Sequence, residues 1–85
     1  MRVFIPSVLR SYSGNDNVAA EGDTLDEVLT DLDRRFPGLR FRIVDEQDRI
    51  RRHIRFFVNG QQATDLGRRL AASDEIYIIQ ALSGG

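Results

Sequence analysis

The sequence predicts an α+β domain in which one long helix packs on one face of a small mixed β-sheet. Three features support this prediction: an amphipathic helical pattern at residues 24–36, apolar runs with strand-like alternation on both sides of it, and the hairpin-turn pair Asn59-Gly60. Eighty-five residues are enough for one hydrophobic core and too few for two. We therefore expect one domain, residues 1–80, and a flexible C-terminal tail, residues 81–85.

The composition excludes several kinds of active site. There is no cysteine, which removes disulfides, thiol nucleophiles and iron–sulfur ligation, and one histidine, His53, cannot form a metal site by itself. The net charge of −1 gives no overall basic field for nucleic acid. The apolar runs are too short to span a bilayer, and the N-terminal residues lack a secretory signal. We expect a cytoplasmic protein that binds no metal, nucleic acid or membrane.

The N-terminal residues predict a β-hairpin. Residues 1–6 place Val3 and Ile5 on one face of an extended segment, which is the alternation of a strand. Turn-forming residues cluster at 13–17, and residues 18–20 form a short second strand.

The helix is the clearest element. Thr24 followed three residues later by Glu27 is a capping-box pattern, and Pro37-Gly38 ends the helix. Its apolar residues recur at helical spacing and form one stripe: Leu25, Val28, Leu29, Leu32 and Phe36.

Three further strands complete the pattern. Residues 54–58 form a strand that Asn59-Gly60 turns back towards a brief partner at 61–63, and residues 75–80 form the last strand. The order β-β-α-loop-β-β-β, with one main helix against a mixed sheet, predicts the ubiquitin-like β-grasp fold.

The two faces of this sheet should both be apolar. Alternation sends six residues towards the helix: Val3, Ile5, Phe56, Val58, Ile76 and Ile78. It sends four large apolar residues to the other face: Phe4, Phe57, Tyr77 and Ile79. Contiguous exposed apolar surface marks a protein interface. Alternatively residues 38–53 fold over this face and bury it, and their apolar side chains fit a short helix or a packed loop: Leu39, Phe41, Ile43 and Val44.

The tail ends in Gly84-Gly85. Glycine has no Cβ and enters narrow clefts, and five extended residues reach about 17 Å. This suits a carboxylate that is delivered into the active site of another protein, although small terminal residues also fray without a function.

Several short motifs together resemble the bacterial MoaD/ThiS sulfur-carrier family. They are Gly22-Asp23-Thr24-Leu25, Phe57-Val58-Asn59-Gly60, Asp74-Glu75-Ile76 and Ala81-Leu82-Ser83-Gly84-Gly85, in that order. The opening residues 5–14 look especially similar to the CysO branch, which feeds cysteine synthesis. Ser73 departs from the glycine that the family commonly has before Asp-Glu, which affects only the turn.

This resemblance implies a carrier rather than an enzyme. A partner similar to ubiquitin-activating enzymes would adenylate the Gly85 carboxylate with ATP and Mg²⁺, so that the chain binds no cofactor itself. Sulfur transfer would leave a thiocarboxylate on Gly85 for a sulfur-accepting synthase, with Gly84 giving clearance. A processing protease is a possible further partner in this family. The expected docking residues are Phe4, Phe57, Tyr77, Ile79 and Leu82.

Other functions remain open at this stage. Alternatives to the sulfur carrier are the small subunit of a molybdopterin synthase and a ubiquitin-like modifier joined through Gly85 to lysines of other proteins. A plain β-grasp interaction module would not need Gly84-Gly85. The sulfur acceptor is also open, with cysteine synthesis favoured by the CysO-like opening over cofactors and secondary metabolites.

A basic run precedes the third strand. It contains Arg49, Arg51, Arg52, His53 and Arg55. Such a run is typical of a solvated loop, and it also fits docking to an acidic partner surface or phosphate binding.

Overall fold

The computed structural model describes residues 1–81. The proposed carrier residues Gly84 and Gly85, and the docking residue Leu82, lie outside the described residues. Within residues 1–81 a 3₁₀ turn, Ser7–Leu9, follows the first strand. The other elements, in chain order, are β1 (Arg2–Phe4), α1 (Arg10–Ser13), β2 (Asn17–Ala19), α2 (Leu25–Arg35), α3 (Leu39–Ile43), β3 (Ile54–Val58), β4 (Gln61–Ala63) and β5 (Glu75–Gln80).

The five strands form one mixed sheet in the order β2-β1-β5-β3-β4. β5 lies in the middle, parallel to β1 and antiparallel to β3. The outer pairs, β1 with β2 and β3 with β4, are antiparallel hairpins. This arrangement is the ubiquitin-like β-grasp architecture that the sequence predicts. Because β5 is both the last strand and the central one, the tail follows a strand that is paired on both sides.

The core lies between the sheet and α2. The six side chains predicted to face the helix are buried, none being more than 2% exposed: Val3, Ile5, Phe56, Val58, Ile76 and Ile78. They pack with the buried stripe of α2, which consists of Leu25, Val28, Leu29 and Leu32. The alternation of the strands is therefore confirmed at every one of these positions.

The start of α2 is capped as the sequence predicts, with one difference. The Thr24 hydroxyl accepts a hydrogen bond from the backbone N–H of Glu27 at 3.2 Å. The Glu27 carboxylate reaches back to the N–H of Asp23 at 2.8 Å, not to that of Thr24. The reciprocal bond of the capping box is thus shifted by one residue, and it ties down the chain just before the helix.

Residues 38–53 close the helix side of the core and leave the outer face of the sheet open. α3 packs against α2, and Leu39, Ile43 and Val44 are buried. Phe41, which the sequence groups with these packing residues, is instead 55% exposed, and the Arg51 guanidinium lies 4.6 Å from its ring centroid. The difference arises because a five-residue helix turns only one face to the core.

Candidate partner-docking face and tail exit

β5 holds the chain firmly up to the point where the tail begins. Gln80 is paired with Ile54 of β3. One residue later, the backbone N–H of Ala81 donates to the carbonyl oxygen of His53 at 2.7 Å. Ala81 is the last described residue, and Gly85 follows four residues later in the sequence. The tail thus starts from a strand end that is hydrogen-bonded in the middle of the sheet.

Four of the five predicted docking residues lie together on the outer face of the sheet. The rings of Phe4 and Tyr77 stack with centroids 4.2 Å apart and an interplanar angle of 4°. Phe57 lies directly opposite Tyr77 on the neighbouring strand. Tyr77 and Ile79 are 38% and 42% exposed, and Phe4 and Phe57 are half-buried. We call these four residues the outer apolar face. The fifth docking residue, Leu82, is not among the described residues.

Two clefts adjoin the end of β5, and Gln80 lines both of them. One, of about 290 Å³, continues the outer apolar face through Phe4, Tyr77 and Ile79 and includes Arg10 and Asp16. The other, of about 280 Å³, lies on the opposite flank and is lined chiefly by Val8, Leu9, Arg42, Arg51, His53 and Gln80. The tail exit is therefore flanked by an apolar surface on one side and by a basic cleft on the other.

The arginines of this basic flank are held by neutral oxygen atoms. Arg42 Nε donates to the Tyr12 hydroxyl at 2.9 Å, and Arg51 Nε donates to the Phe41 carbonyl at 2.7 Å. Arg55 Nη1 donates to the Arg52 carbonyl at 2.7 Å. Within residues 1–81, Arg42, Arg51, Arg52 and Arg55 form no ion pair, whereas Arg34, Arg35, Arg40 and Arg49 each pair with an aspartate.

Sequence reasoning missed Arg42 as a member of this flank. It singles out the run at residues 49–55, because those arginines are close in sequence. Arg42 lies on α3 and reaches the tail exit only because α3 packs beside β3 and the turn that contains Val8. No sequence signal marks this neighbourhood, since it depends on how residues 38–53 cross the end of the sheet.

Asn59-Gly60 and Asp74-Glu75, on which part of the family resemblance rests, are joined by hydrogen bonds at the start of β5. We call this contact the clasp. Asn59 and Gly60 have φ angles of 51° and 85°, which the hairpin turn between β3 and β4 requires. The Asn59 side chain donates to the Asp74 carboxylate at 2.8 Å and accepts from the N–H of Glu75 at 3.0 Å. The backbone N–H of Ala71 and then the Asn59 amide hold the pKa of Asp74 below its ordinary value. These residues shape the fold and lie far along β5 from the tail.

The turn tolerates Ser73 in place of the glycine that is common in the family. The non-glycine residues with positive φ within residues 1–81 are Asp48 and Asn59, so Ser73 adopts backbone angles open to any residue.

Residues 1–81 offer neither a metal-binding cluster nor a membrane span. Over this range, no group of three or more histidine, aspartate or glutamate side chains is arranged to hold a metal ion. In the same part of the chain, no helix is long and apolar enough to cross a bilayer.

Comparison with known proteins decides the family. A model described as the ThiS family matches residues 3–85, and so spans nearly the whole chain. The chain belongs to the ThiS family. This ThiS-family chain is 32% identical over 89 aligned residues to the sulfur carrier protein CysO of Mycobacterium tuberculosis, with 98% of this chain and 96% of the relative covered.

Two solved structures extend the comparison. The structure of the BexX/CysO complex of Amycolatopsis orientalis contains a chain that matches with a TM-score of 0.90 and 31% identity, covering 99% of this chain and 98% of that one. SAMP1 from Haloferax volcanii matches with a TM-score of 0.80 and 30% identity, covering 100% of this ThiS-family chain and 98% of the other. The similarity to the MoaD/ThiS family, and to CysO within it, is thereby confirmed together with the β-grasp fold.

Proposed function

We propose that this chain is a sulfur carrier protein in which Gly85 carries sulfur as a thiocarboxylate. The observation that supports this most strongly is the similarity to the sulfur carrier CysO over almost the full length of both chains. The similarity to CysO favours cysteine synthesis as the destination of the sulfur. The chain itself acts as a co-substrate of partner enzymes in the cytoplasm.

The chemistry begins with a carboxylate that needs activation. An α-carboxylate has a pKa of about 3.5, so near neutral pH it is ionised and a poor electrophile. A partner enzyme joins it to AMP from ATP, with Mg²⁺, and releases pyrophosphate. A sulfur donor then displaces AMP and leaves the thiocarboxylate, which a sulfur-accepting synthase uses as a nucleophile. ATP, Mg²⁺ and the catalytic groups belong to the partners in this scheme.

The outer apolar face is the docking surface for the activating enzyme in this proposal. Tyr77 and Ile79 are four and two residues before Ala81 on the same strand, and both are exposed. A partner that covers them is therefore placed beside the start of the tail. Phe4 and Phe57 extend the contact across the neighbouring strands, and Leu82 continues it along the chain. Within this surface the rings of Phe4 and Tyr77 stack on one another and form one continuous aromatic contact area.

The experiment that tests the carrier role measures intact mass. The protein is incubated with ATP, the activating enzyme of its own organism and a sulfide source. We expect the mass gain that corresponds to replacement of one oxygen by one sulfur, located on the peptide that contains Gly85. A variant lacking Gly85 should show no gain and an unchanged melting temperature. A wild-type protein that stays unmodified with every activating enzyme of that organism would contradict the proposal.

A second candidate function is a protein modifier, which the similarity to SAMP1 favours, since a related structure names SAMP1 a small archaeal modifier protein. The same activated Gly85 would then be joined to lysines of other proteins. Because this chain contains no lysine, it could not form chains on itself. Isopeptide-linked adducts of Gly85 in cell extracts, without thiocarboxylate, would favour this function. Co-purification with a large subunit would instead indicate the small subunit of a molybdopterin synthase.

A further inference from the structure

The length of chain between Ala81 and Gly85 limits where a partner can act. Gly85 is four positions after Ala81, and a fully extended chain spans at most about 14 Å over that length. If Gly85 is activated by an enzyme, as proposed above, the entrance of that active site must come within this distance of Ala81. The surface around the end of β5 is therefore close to the enzyme whenever Gly85 reacts.

Four arginines lie on the two segments that meet at this end of the sheet, and we call them the basic rim: Arg42, Arg51, Arg52 and Arg55. Arg51 and Arg52 immediately precede His53, whose carbonyl oxygen holds the N–H of Ala81. Arg55 is paired across the strands with Ile79, one residue before Gln80. Arg42 lines the same cleft as Gln80 from the side of α3. The basic rim is thus assembled from two separate segments at one end of the sheet.

Within residues 1–81 the basic rim forms no ion pair, although Asp45 lines a neighbouring cleft with Arg51 and Arg52 and interacts electrostatically with Arg51. The cleft between Arg42 and Arg51 contains no carboxylate in its lining. Within residues 1–81, Asp16 is the acidic residue that lines the cleft beside the outer apolar face, and no ion pair joins it to the basic rim. The chain as a whole has a net charge of −1, and residues 1–48 carry ten acids against six arginines. The positive charge is therefore concentrated where the tail starts.

The basic rim also combines charged and exposed apolar side chains, as protein interfaces do. Val8 is 59% exposed and lies in the cleft with Arg42 and Arg51. Arginine and exposed apolar groups are the residues that protein interfaces favour, whereas lone phosphate binding needs donors that converge on one point. Here Arg51 and Arg55 turn part of their guanidinium groups towards the backbone carbonyls of Phe41 and Arg52. Because Arg42, Arg51 and Arg55 are held by different oxygen atoms along two segments, the basic rim is extended and is not built around one small anion.

We propose that the basic rim docks onto an acidic lip around the active-site entrance of the enzyme that activates Gly85. This proposal rests on the proposed function of Gly85. Complementary charge at the margin of an interface accelerates association and sets the orientation of the partners. The outer apolar face then supplies contact area, while the basic rim aligns the tail with the entrance. Carboxylates of the enzyme replace the neutral oxygen partners and water that now surround these guanidinium groups.

The test compares charge reversals on and off the basic rim. Arg52→Glu is the most direct variant, because the Arg52 side chain has no hydrogen bond or ion pair within residues 1–81. Arg42→Glu, which loses the bond to Tyr12, serves as the second. Arg69→Glu is the matched control, since Arg69 is exposed and belongs to the loop that leads into the first residue of β5. Rates of Gly85 adenylation are measured against carrier concentration, with melting temperatures to confirm folding.

We expect the KM for the carrier to rise about tenfold in Arg52→Glu and in Arg42→Glu, with kcat within about twofold of wild type, because docking and not chemistry is weakened. Arg69→Glu should behave as wild type. Wild-type KM should also increase with salt, and this dependence should be weaker in the rim variants.

Failure of the proposed function and failure of the basic-rim proposal give different experimental results. A wild-type protein that is never adenylated contradicts the proposed function and this inference with it. Normal adenylation with the same KM in all variants, or with no effect of salt, overturns the basic rim alone. Single-stranded RNA that binds wild type and not Arg52→Glu, while adenylation of both is equal, would assign the basic rim to nucleic acid and overturn the proposal.

Discussion

Gly22 lies where the chain enters α2, and its backbone packs directly against the first turn of that helix. A Cβ atom at this position would lie 2.7 Å from the nitrogen of Val28 and 2.9 Å from the carbonyl carbon of Glu27. Both are backbone atoms of a capped helix and have little room to move. Gly14 presents the opposite case, because its φ is 76° and a Cβ atom there would meet no other atom within 4 Å. Gly22 combines this crowding with a φ of 157°, whereas at Gly14 only the backbone conformation opposes a side chain.

We expect Gly22→Ala to lower the free energy of unfolding by more than about 2 kcal/mol, since the helix start must shift to accept the methyl group. Gly14→Ala should cost about 1–2 kcal/mol, because only the left-handed backbone angle opposes it. Urea denaturation of both variants measures the difference. Equal losses, or a Gly22→Ala variant as stable as wild type, would show that the entry to α2 adapts freely.

Among the elements, β5 connects two ends of the molecule that have different roles. Its start is clasped to the β3–β4 turn by Asn59 and Asp74, and its end carries the tail exit. The Asp74 carboxylate accepts two hydrogen bonds of 2.8 Å, from the N–H of Ala71 and from the Asn59 amide. These bonds favour the charged form and lower the pKa of Asp74 from 3.8. The clasp therefore depends on pH.

The direction of this dependence follows from linkage. Because the folded-state pKa of Asp74 lies below the unfolded-state value of 3.8, Asp74 stabilises the fold above that pH, and the contribution is lost as the pH falls through the folded-state pKa. We expect Asp74→Asn to be less stable than wild type at pH 7, with the gap narrowing towards pH 2 in thermal melts. A gap that stays constant over this range would show that the charge of Asp74 has no part in the clasp.

Two other aspartates also contribute to the loss of stability at low pH. Asp31 has its pKa lowered chiefly by the backbone N–H of Glu21 and further by Arg35 and Arg34. The backbone N–H of Arg49 is the main cause of the lowered pKa of Asp45. Stability should therefore decline below about pH 4 even where Asp74 is replaced.

For the molecule as a whole, the sheet has one buried apolar face and one exposed apolar face. Phe56 and Ile78 are buried under α2, whereas Tyr77 and Ile79 lie on the reverse side of the same sheet and are exposed. Docking on the outer apolar face can therefore occur without disturbing the core.

The variant Ile79→Ala tests whether the outer apolar face serves docking rather than folding. Because Ile79 is 42% exposed, we expect a loss of stability of only about 1 kcal/mol. The KM for activation should rise severalfold, since the proposed contact beside the tail is lost. Thr30→Ala is the control, because Thr30 is exposed on α2, which packs on the opposite face of the sheet. Loss of activation that merely follows loss of stability, as judged by melting temperature, would remove Ile79 from the docking surface.

Much of this architecture can be predicted because strand alternation and helix capping are local rules. Period-two alternation alone assigns Val3, Phe56 and Ile76 to the core, and the spacing from Glu27 assigns Thr24 to the helix start. The grouping of Phe41 with the packing residues of 38–53 is wrong, since the face that α3 turns to the core depends on its packing against α2. The roles of Gly84, Gly85 and Leu82 stay predictions, because these residues lie outside the described part of the chain.

The sequence by itself determined which residues of the strands and of α2 face the core, where the chain turns and that a Gly-Gly pair follows the last strand, because these properties depend on near neighbours along the chain. Only the tertiary structure decided that residues 38–53 cover the helix side, which leaves Tyr77 and Ile79 exposed. It also decided that Arg42 joins Arg51 and Arg52 beside Ala81. Both outcomes depend on contacts between segments far apart in sequence, where packing of the whole core selects one arrangement.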